Sequence, residues 1–134
     1  MVAVVRGREG DRLGPYRLIE LIRRGGQGTV YLGYDDRLRR RVAIKLLSQP
    51  DSRKLRKQLV KEARTVASLD SPHLVKIYDV VLAPPYLALV MEYVPGCDLE
   101  QLLSVTPLSQ SSILSITSDI AAALAVARQH GVVH

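Results

Sequence analysis

Three features in the first half of the chain have the chemistry of a phosphate-binding site. Gly25, Gly26 and Gly28 separate two runs of strand-forming residues, and glycine lets backbone N–H groups approach phosphate oxygens closely. Lys45 lies on the third predicted strand, and Glu62 lies on a predicted helix that is otherwise rich in basic residues. A lysine held by a carboxylate beneath a glycine loop would bind a polyphosphate. Glycine also forms ordinary hairpins, and an isolated strand lysine usually faces solvent, so the combination carries this hypothesis.

Glu62 is the most informative of these residues because of its place on the helix. It shares a stripe of three- and four-residue spacing with apolar residues such as Leu59 and Val66. A carboxylate that faces a sheet needs a cationic partner, because burying an unpaired charge is costly. Lys45 is the candidate partner, and such an ion pair would link the position of the helix to the phosphate contact.

The elements that position these residues are predicted to form an α+β fold. Runs rich in β-branched or aromatic residues predict five strands, at residues 16–22, 29–34, 42–47, 74–82 and 86–92. Apolar periodicity and capping residues predict three helices, at residues 51–69, 99–103 and 109–130. We therefore expect a five-stranded antiparallel sheet with one helix packed on it, followed by a hinge and two further helices.

Composition excludes several classes of protein. The chain has 134 residues, of which 47% are hydrophobic and 24% charged, so it is one globular domain or part of one and is not intrinsically disordered. The single cysteine, Cys97, excludes a disulfide framework, and no pair of histidines has metal-ligand spacing, so we predict no metal site. No apolar run approaches the roughly 18 residues of a membrane span. We expect a reducing, cytoplasmic location.

The net charge is +6, and the excess of basic residues lies before residue 65, where there are 17 basic and 7 acidic residues. Such a bias is found in proteins that bind nucleic acid or anionic ligands, and also in proteins with a solvated basic face. The chain has no Trp or Phe and its six tyrosines are scattered, so it offers no stacking platform for unpaired bases. We predict a solvated basic face and no nucleic-acid partner.

In their order along the chain, these motifs resemble those of a protein kinase, and more narrowly of a bacterial Hanks-type serine/threonine kinase. The matching motifs are the glycine loop with Val30, the run Val42-Ala43-Ile44-Lys45, Glu62, the run from Met91 to Gly96, and the run from His130 to His134. The similarity covers residues 13–134 and corresponds to about the first half of a kinase domain. It implies an N-terminal extension, an N-lobe, a hinge and the start of a helical C-lobe, at residues 1–12, 13–92, 93–97 and 98–134.

The resemblance implies an ATP site in which Lys45 and Glu62 form the catalytic ion pair. The residues that it places around ATP are Ile22, Gly25, Gly26, Gly28, Val30, Ala43, Lys45, Met91, Glu92 and Val94. Met91 would be the gatekeeper, while Glu92 and Val94 would offer hinge backbone groups to the base. Val66, Ile77 and His134 match three positions of the hydrophobic spine of active kinases.

The sequence departs from the family pattern in two places. Arg23 stands where the family has its first loop glycine, and the sequence stops at His134, before the catalytic Asp, the Asn and the Asp-Phe-Gly motif. By resemblance, Mg²⁺ is expected only in a complete parent domain, and residues 1–134 alone are expected to be inactive.

The expected function is therefore the ATP-binding portion of a kinase that phosphorylates Ser or Thr of a protein substrate. The alternative is a non-catalytic kinase-like module that binds nucleotide or a protein partner. The last helix would expose an apolar stripe, so we expect self-association of the isolated polypeptide.

Overall fold

A computed structural model describes residues 5–133 of the chain. The chain divides into two compact units, the first comprising Met1–Ser68 with Lys76–Tyr93 and the second comprising Leu69–Val75 with Val94–His134. The boundary after Tyr93 falls within the hinge predicted at residues 93–97. The segment Leu69–Val75 groups with the second unit, although the sequence placed it in the first.

The first unit is built on one antiparallel sheet of six strands. The strands are β1 Arg12–Leu13, β2 Tyr16–Gly25, β3 Gly28–Asp35, β4 Arg40–Ser48, β5 Ile77–Ala83 and β6 Tyr86–Glu92. They lie side by side in the order β1-β2-β3-β4-β6-β5. The five predicted strands are all present, and the additional strand is β1, whose two residues are too few to produce a recognisable strand pattern.

One face of this sheet carries the apolar core. Val42, Ile44 and Leu46 alternate along β4, and each of them is 3% exposed or less. Val5, from the segment that precedes β1 (the N-terminal segment), and Leu13 of β1 belong to the same buried cluster. We call this side of the sheet the covered face. Because side chains alternate along a strand, Ala43 and Lys45 lie on the opposite side, which we call the Lys45 face.

The helix of the first unit, α1, spans Arg53–Ala67. Its N-cap is Ser52, whose side chain accepts a hydrogen bond from the backbone N–H of Leu55, which satisfies one of the free N–H groups at the helix start. Ala63 is the buried residue of α1. The helix packs on the sheet mainly through β5, the edge strand farthest from β1.

The second unit contains the two other predicted helices, α2 Leu99–Val105 and α3 Gln110–Gln129. Asp98 caps α2 in a reciprocal arrangement with Gln101, and Ser109 caps α3. Both helices therefore begin at a residue whose side chain accepts a hydrogen bond from a free backbone N–H group. His134, a predicted spine position, lies outside the described residues.

The helix α3 is long and apolar enough, by length and composition, to cross a membrane, and little of it is buried. The sequence prediction considered only unbroken apolar runs, and Ser, Thr and Asp residues interrupt the run within α3. Core helices of water-soluble proteins reach the same length and composition. This helix therefore assigns no membrane role by itself.

Candidate functional site

The three predicted loop glycines form a tight hairpin between β2 and β3. Gly25 is paired with Gly28, so only Gly26 and Gln27 remain in the turn. Gly28 has a φ of +126°, and a Cβ atom at this position would lie 2.5 Å from the carbonyl oxygen of Leu46. Gly28 is therefore required by both its backbone conformation and its close approach to β4. A Cβ atom added at Gly25 or Gly26 would meet nothing within 4 Å, so the hairpin tip is open.

Strand register places four predicted site residues together on the Lys45 face. Val30 of β3 lies directly opposite Lys45 of β4. Ala43, two residues before Lys45 on the same strand, lies directly opposite Met91 of β6. Directly paired residues on antiparallel strands project from the same face, with Cβ atoms about 5 Å apart. An apolar patch thus adjoins a half-buried lysine on one side of the sheet.

The same register adds two residues that the sequence analysis did not name. Leu32 lies opposite Ala43, and Leu89 lies opposite Lys45, so both half-buried side chains project from the Lys45 face. Counting by twos from Val30 and Met91 would have found them, because the period of a strand is two residues. They extend the apolar patch on both sides of the lysine.

Ile22 is not brought into this patch by the register. The pairing of β2 with β3 shifts between Leu21 and Arg23, which leaves Ile22 at a bulge, where it is 51% exposed. Arg23, which stands in place of the first glycine of the family pattern, lies opposite Val30. Its side chain therefore leaves the backbone on the Lys45 face.

The predicted ion pair between Lys45 and Glu62 is not formed in this structure, which corrects the sequence prediction. Glu62 is exposed, and its Oε1 accepts a 2.9 Å hydrogen bond from Nε2 of Gln58, one turn earlier on α1. No ion pair joins Glu62 to Lys45, both of which are fully described. The physical reason is the position of α1, which packs mainly on β5, two strands away from β4 in the sheet. Two strand spacings amount to about 10 Å.

The two predicted hinge residues differ in what their backbone offers. The backbone N–H of Glu92 donates a 2.8 Å hydrogen bond to the carbonyl oxygen of Lys76, so this N–H is not available to a ligand. Val94 belongs to the second unit and is exposed. The backbone groups of Glu92 and Val94 expected to meet the base therefore remain a prediction, with the N–H of Glu92 already engaged.

Protein ligands for a metal ion are not found in the described part of the chain. Among residues 5–133, no group of three or more His, Cys, Asp or Glu side chains is arranged to hold a metal ion. We assign no step to a metal here.

Comparison with known sequences places this arrangement in a family. The protein kinase domain pattern matches residues 16–134. The chain is 38% identical over 128 residues to the serine/threonine-protein kinase PknD of Mycobacterium tuberculosis, covering 93% of this chain and 19% of that protein. It is 36% identical over 129 residues to PrkC of Bacillus subtilis, covering 93% and 20%, and 36% identical over 140 residues to PknE of Mycobacterium bovis, covering 100% and 24%. The chain spans about a fifth to a quarter of the length of these relatives.

Solved structures with the same fold include a kinase domain. The kinase domain of M. tuberculosis PknI superimposes with a TM-score of 0.80 at 26% identity, covering 95% of this chain and 53% of that one. The apo form of PpkA-294 superimposes with a TM-score of 0.76 at 22% identity, which shows the shared fold alone. Both the sequence and the fold therefore assign the chain to the protein kinase family, as part of a bacterial Hanks-type serine/threonine kinase domain.

Proposed function

We propose that residues 1–134 are the ATP-binding part of a kinase that transfers the γ-phosphoryl group of ATP to Ser or Thr of a protein substrate. The relatives are serine/threonine-protein kinases by name. The observation that carries the proposal is the register that aligns Val30, Ala43, Lys45 and Met91 on one face of the sheet. Apolar side chains and the cation of Lys45 on one surface match the two halves of a nucleotide.

Each half of this surface has a separate chemical task. The flat, apolar base would pack against the side chains of Val30, Ala43 and Met91, because burial of apolar surface stabilises such a contact. The ammonium group of Lys45 would donate charge-assisted hydrogen bonds to phosphate oxygens. The open hairpin tip at Gly25 and Gly26 leaves room for the phosphates to approach backbone N–H groups.

The transfer step needs groups that residues 1–134 do not supply. No His-Arg-Asp or Asp-Phe-Gly run occurs in this sequence, and these motifs orient the acceptor hydroxyl and hold Mg²⁺ in kinases. We therefore propose that residues 1–134 bind nucleotide without phosphoryl transfer, and that transfer depends on a complete kinase domain.

The test is a comparison of two lysine-to-methionine variants by calorimetric titration with ATP. Lys45→Met removes the cation of the site, whereas Lys54→Met removes the same charge from an exposed position on α1. A hydrogen bond to a charged group contributes about 1.5–3 kcal/mol, so Lys45→Met should weaken ATP binding by roughly 10- to 150-fold. Lys54→Met should leave it unchanged. Equal losses in the two variants would contradict the pocket assignment.

A second candidate function is a kinase-like module that binds nucleotide or a protein partner without catalysis. The separation of Lys45 from Glu62, which bonds Gln58 instead, favours it. A phosphoryl-transfer assay on the full-length protein distinguishes the two, because a kinase yields phosphorylated protein and a module binds ATP without product. For both candidates we propose a reducing, cytoplasmic setting, since the single cysteine, Cys97, is free and exposed.

A further inference from the structure

A polar cavity of about 420 Å³ lies on the covered face, away from the Lys45 face. Three arginines line it, Arg6 and Arg8 from the N-terminal segment and Arg24 from the end of β2. Arg24 lies opposite Thr29, which lies opposite Leu46, a core residue of the covered face. The cavity is therefore on the other side of the sheet from Lys45.

The backbone beside two of these arginines is fixed by one carboxylate. Oδ2 of Asp11 accepts a 2.7 Å hydrogen bond from the backbone N–H of Arg6 and a 3.1 Å hydrogen bond from that of Arg8. Asp11 thus neutralises neither guanidinium directly, because its bonds are to the backbone. The two side chains remain available to the cavity.

Two tyrosines contact Gly7, the residue between Arg6 and Arg8. The hydroxyl of Tyr31 donates a 2.6 Å hydrogen bond to the carbonyl oxygen of Gly7. Gly7 has a φ of +67°, and a Cβ atom there would lie 3.1 Å from the hydroxyl oxygen of Tyr86. Glycine is therefore favoured at this position by both its conformation and the close contact. The N-terminal segment is seated on the covered face at a defined point.

The charge of the cavity has no counterion in the described part of the chain. Among residues 5–133, none of Arg6, Arg8 and Arg24 forms an ion pair with a carboxylate. The nearby Glu9 accepts a hydrogen bond from the backbone N–H of Leu21 with its Oε1. Three cations around one cavity repel one another, and an anion bound between them would reverse this cost.

We propose that this cavity binds a phosphate dianion, carried by a phosphate monoester or free in solution. The planar guanidinium group presents paired N–H donors that match phosphate oxygens. Thr29 and Ser48, which also line the cavity, add hydroxyl donors beside the arginines. The volume of about 420 Å³ falls within the roughly 300–1,000 Å³ of small-molecule sites, so the organic part of a monoester would also fit.

The test is calorimetric titration of the 134-residue chain with O-phosphoserine and, separately, with inorganic phosphate. Arg24→Gln should weaken binding roughly tenfold or more, because it removes a charge-assisted donor. Arg53→Gln is the matched control, since it makes the same substitution at an exposed residue of α1 outside the cavity. Lys45→Met should also leave phosphate binding unchanged, which separates this cavity from the nucleotide site.

The two ligands distinguish the source of the phosphate. Tighter binding of phosphoserine assigns the cavity to a monoester, and equal binding assigns it to free phosphate. Arg24→Lys, which keeps the charge and loses the paired donors, should bind with intermediate affinity and controls for folding. The proposal is overturned if neither ligand binds at millimolar concentration, or if Arg24→Gln and Arg53→Gln lose affinity equally.

Discussion

Gly28 is the residue of the hairpin at which a side chain should be most damaging. Its φ of +126° lies where L-residues rarely occur, and an added Cβ would lie 2.5 Å from the carbonyl oxygen of Leu46 and 3.0 Å from Cδ2 of Leu47. That carbonyl belongs to the backbone of β4, whose residue Leu46 is paired with Thr29 of β3. Neither strand can move aside without disturbing this pairing.

The expected loss of stability is the sum of two costs, backbone strain and steric overlap. A non-glycine residue in a disfavoured backbone region costs about 1–3 kcal/mol, and forcing an extra carbon into a packed site costs about 1–3 kcal/mol more. We therefore expect Gly28→Ala to lower the free energy of unfolding by about 2–6 kcal/mol. Gly26→Ala, two residues earlier, places its Cβ in open space and should change the free energy of unfolding by less than about 1 kcal/mol.

The assay is urea unfolding of the wild-type chain and both variants, followed by circular dichroism. With a dependence of about 1–3 kcal/mol per molar urea, a loss near 3 kcal/mol lowers the unfolding midpoint by roughly 1–3 M. Gly26→Ala should unfold near the wild-type midpoint. If Gly28→Ala and Gly26→Ala unfold at the same urea concentration, the hairpin geometry described for Gly28 is refuted.

Three further predictions concern stability and association. Burial, followed by a 2.8 Å hydrogen bond to Asp79, raises the pKa of Tyr16 from 10.0 to about 12. Because the folded state favours the neutral phenol, the stabilisation linked to this pKa is complete below pH 10 and is lost as the pH rises through about 12. The free energy of unfolding measured by urea titration should therefore fall by about 2–3 kcal/mol across this window. A variant Tyr16→Phe that shows the same fall would contradict this. Asp35→Ala removes a fully buried carboxylate that accepts two backbone hydrogen bonds, and calorimetry should show a loss of about 2–4 kcal/mol, whereas no change would contradict its role in the turn. Ile120 and Leu124 of α3 are 48% and 47% exposed, so replacing both with Gln should reduce self-association in sedimentation, and a monomeric wild-type chain would contradict the prediction.

Sequence reasoning predicted the sheet well because the signals for its strands are local. Each run of β-branched residues is bounded by glycine, proline or charged residues, and the two-residue period then fixes which side chains share a face. The period places Ala43 and Lys45 on one face of their strand, whereas Val30 was placed beside them only by the family resemblance, because the register between strands is not a local signal. The bulge that isolates Ile22 could not be foreseen, because a bulge depends on how β2 pairs with β3 and leaves no period of its own.

The position of α1 is where sequence reasoning failed, and the reason is physical. Three- and four-residue spacing shows which helix residues share a stripe, but a helix turns about 100° per residue, and a neighbouring stripe can face the sheet instead. Ala63 is the buried residue, while the adjacent Glu62 is exposed. An ion pair at the surface contributes only about 0–1 kcal/mol. Such an attraction is too weak to draw α1 from β5 across two strands to Lys45, so apolar packing at the sheet edge decides where the helix lies.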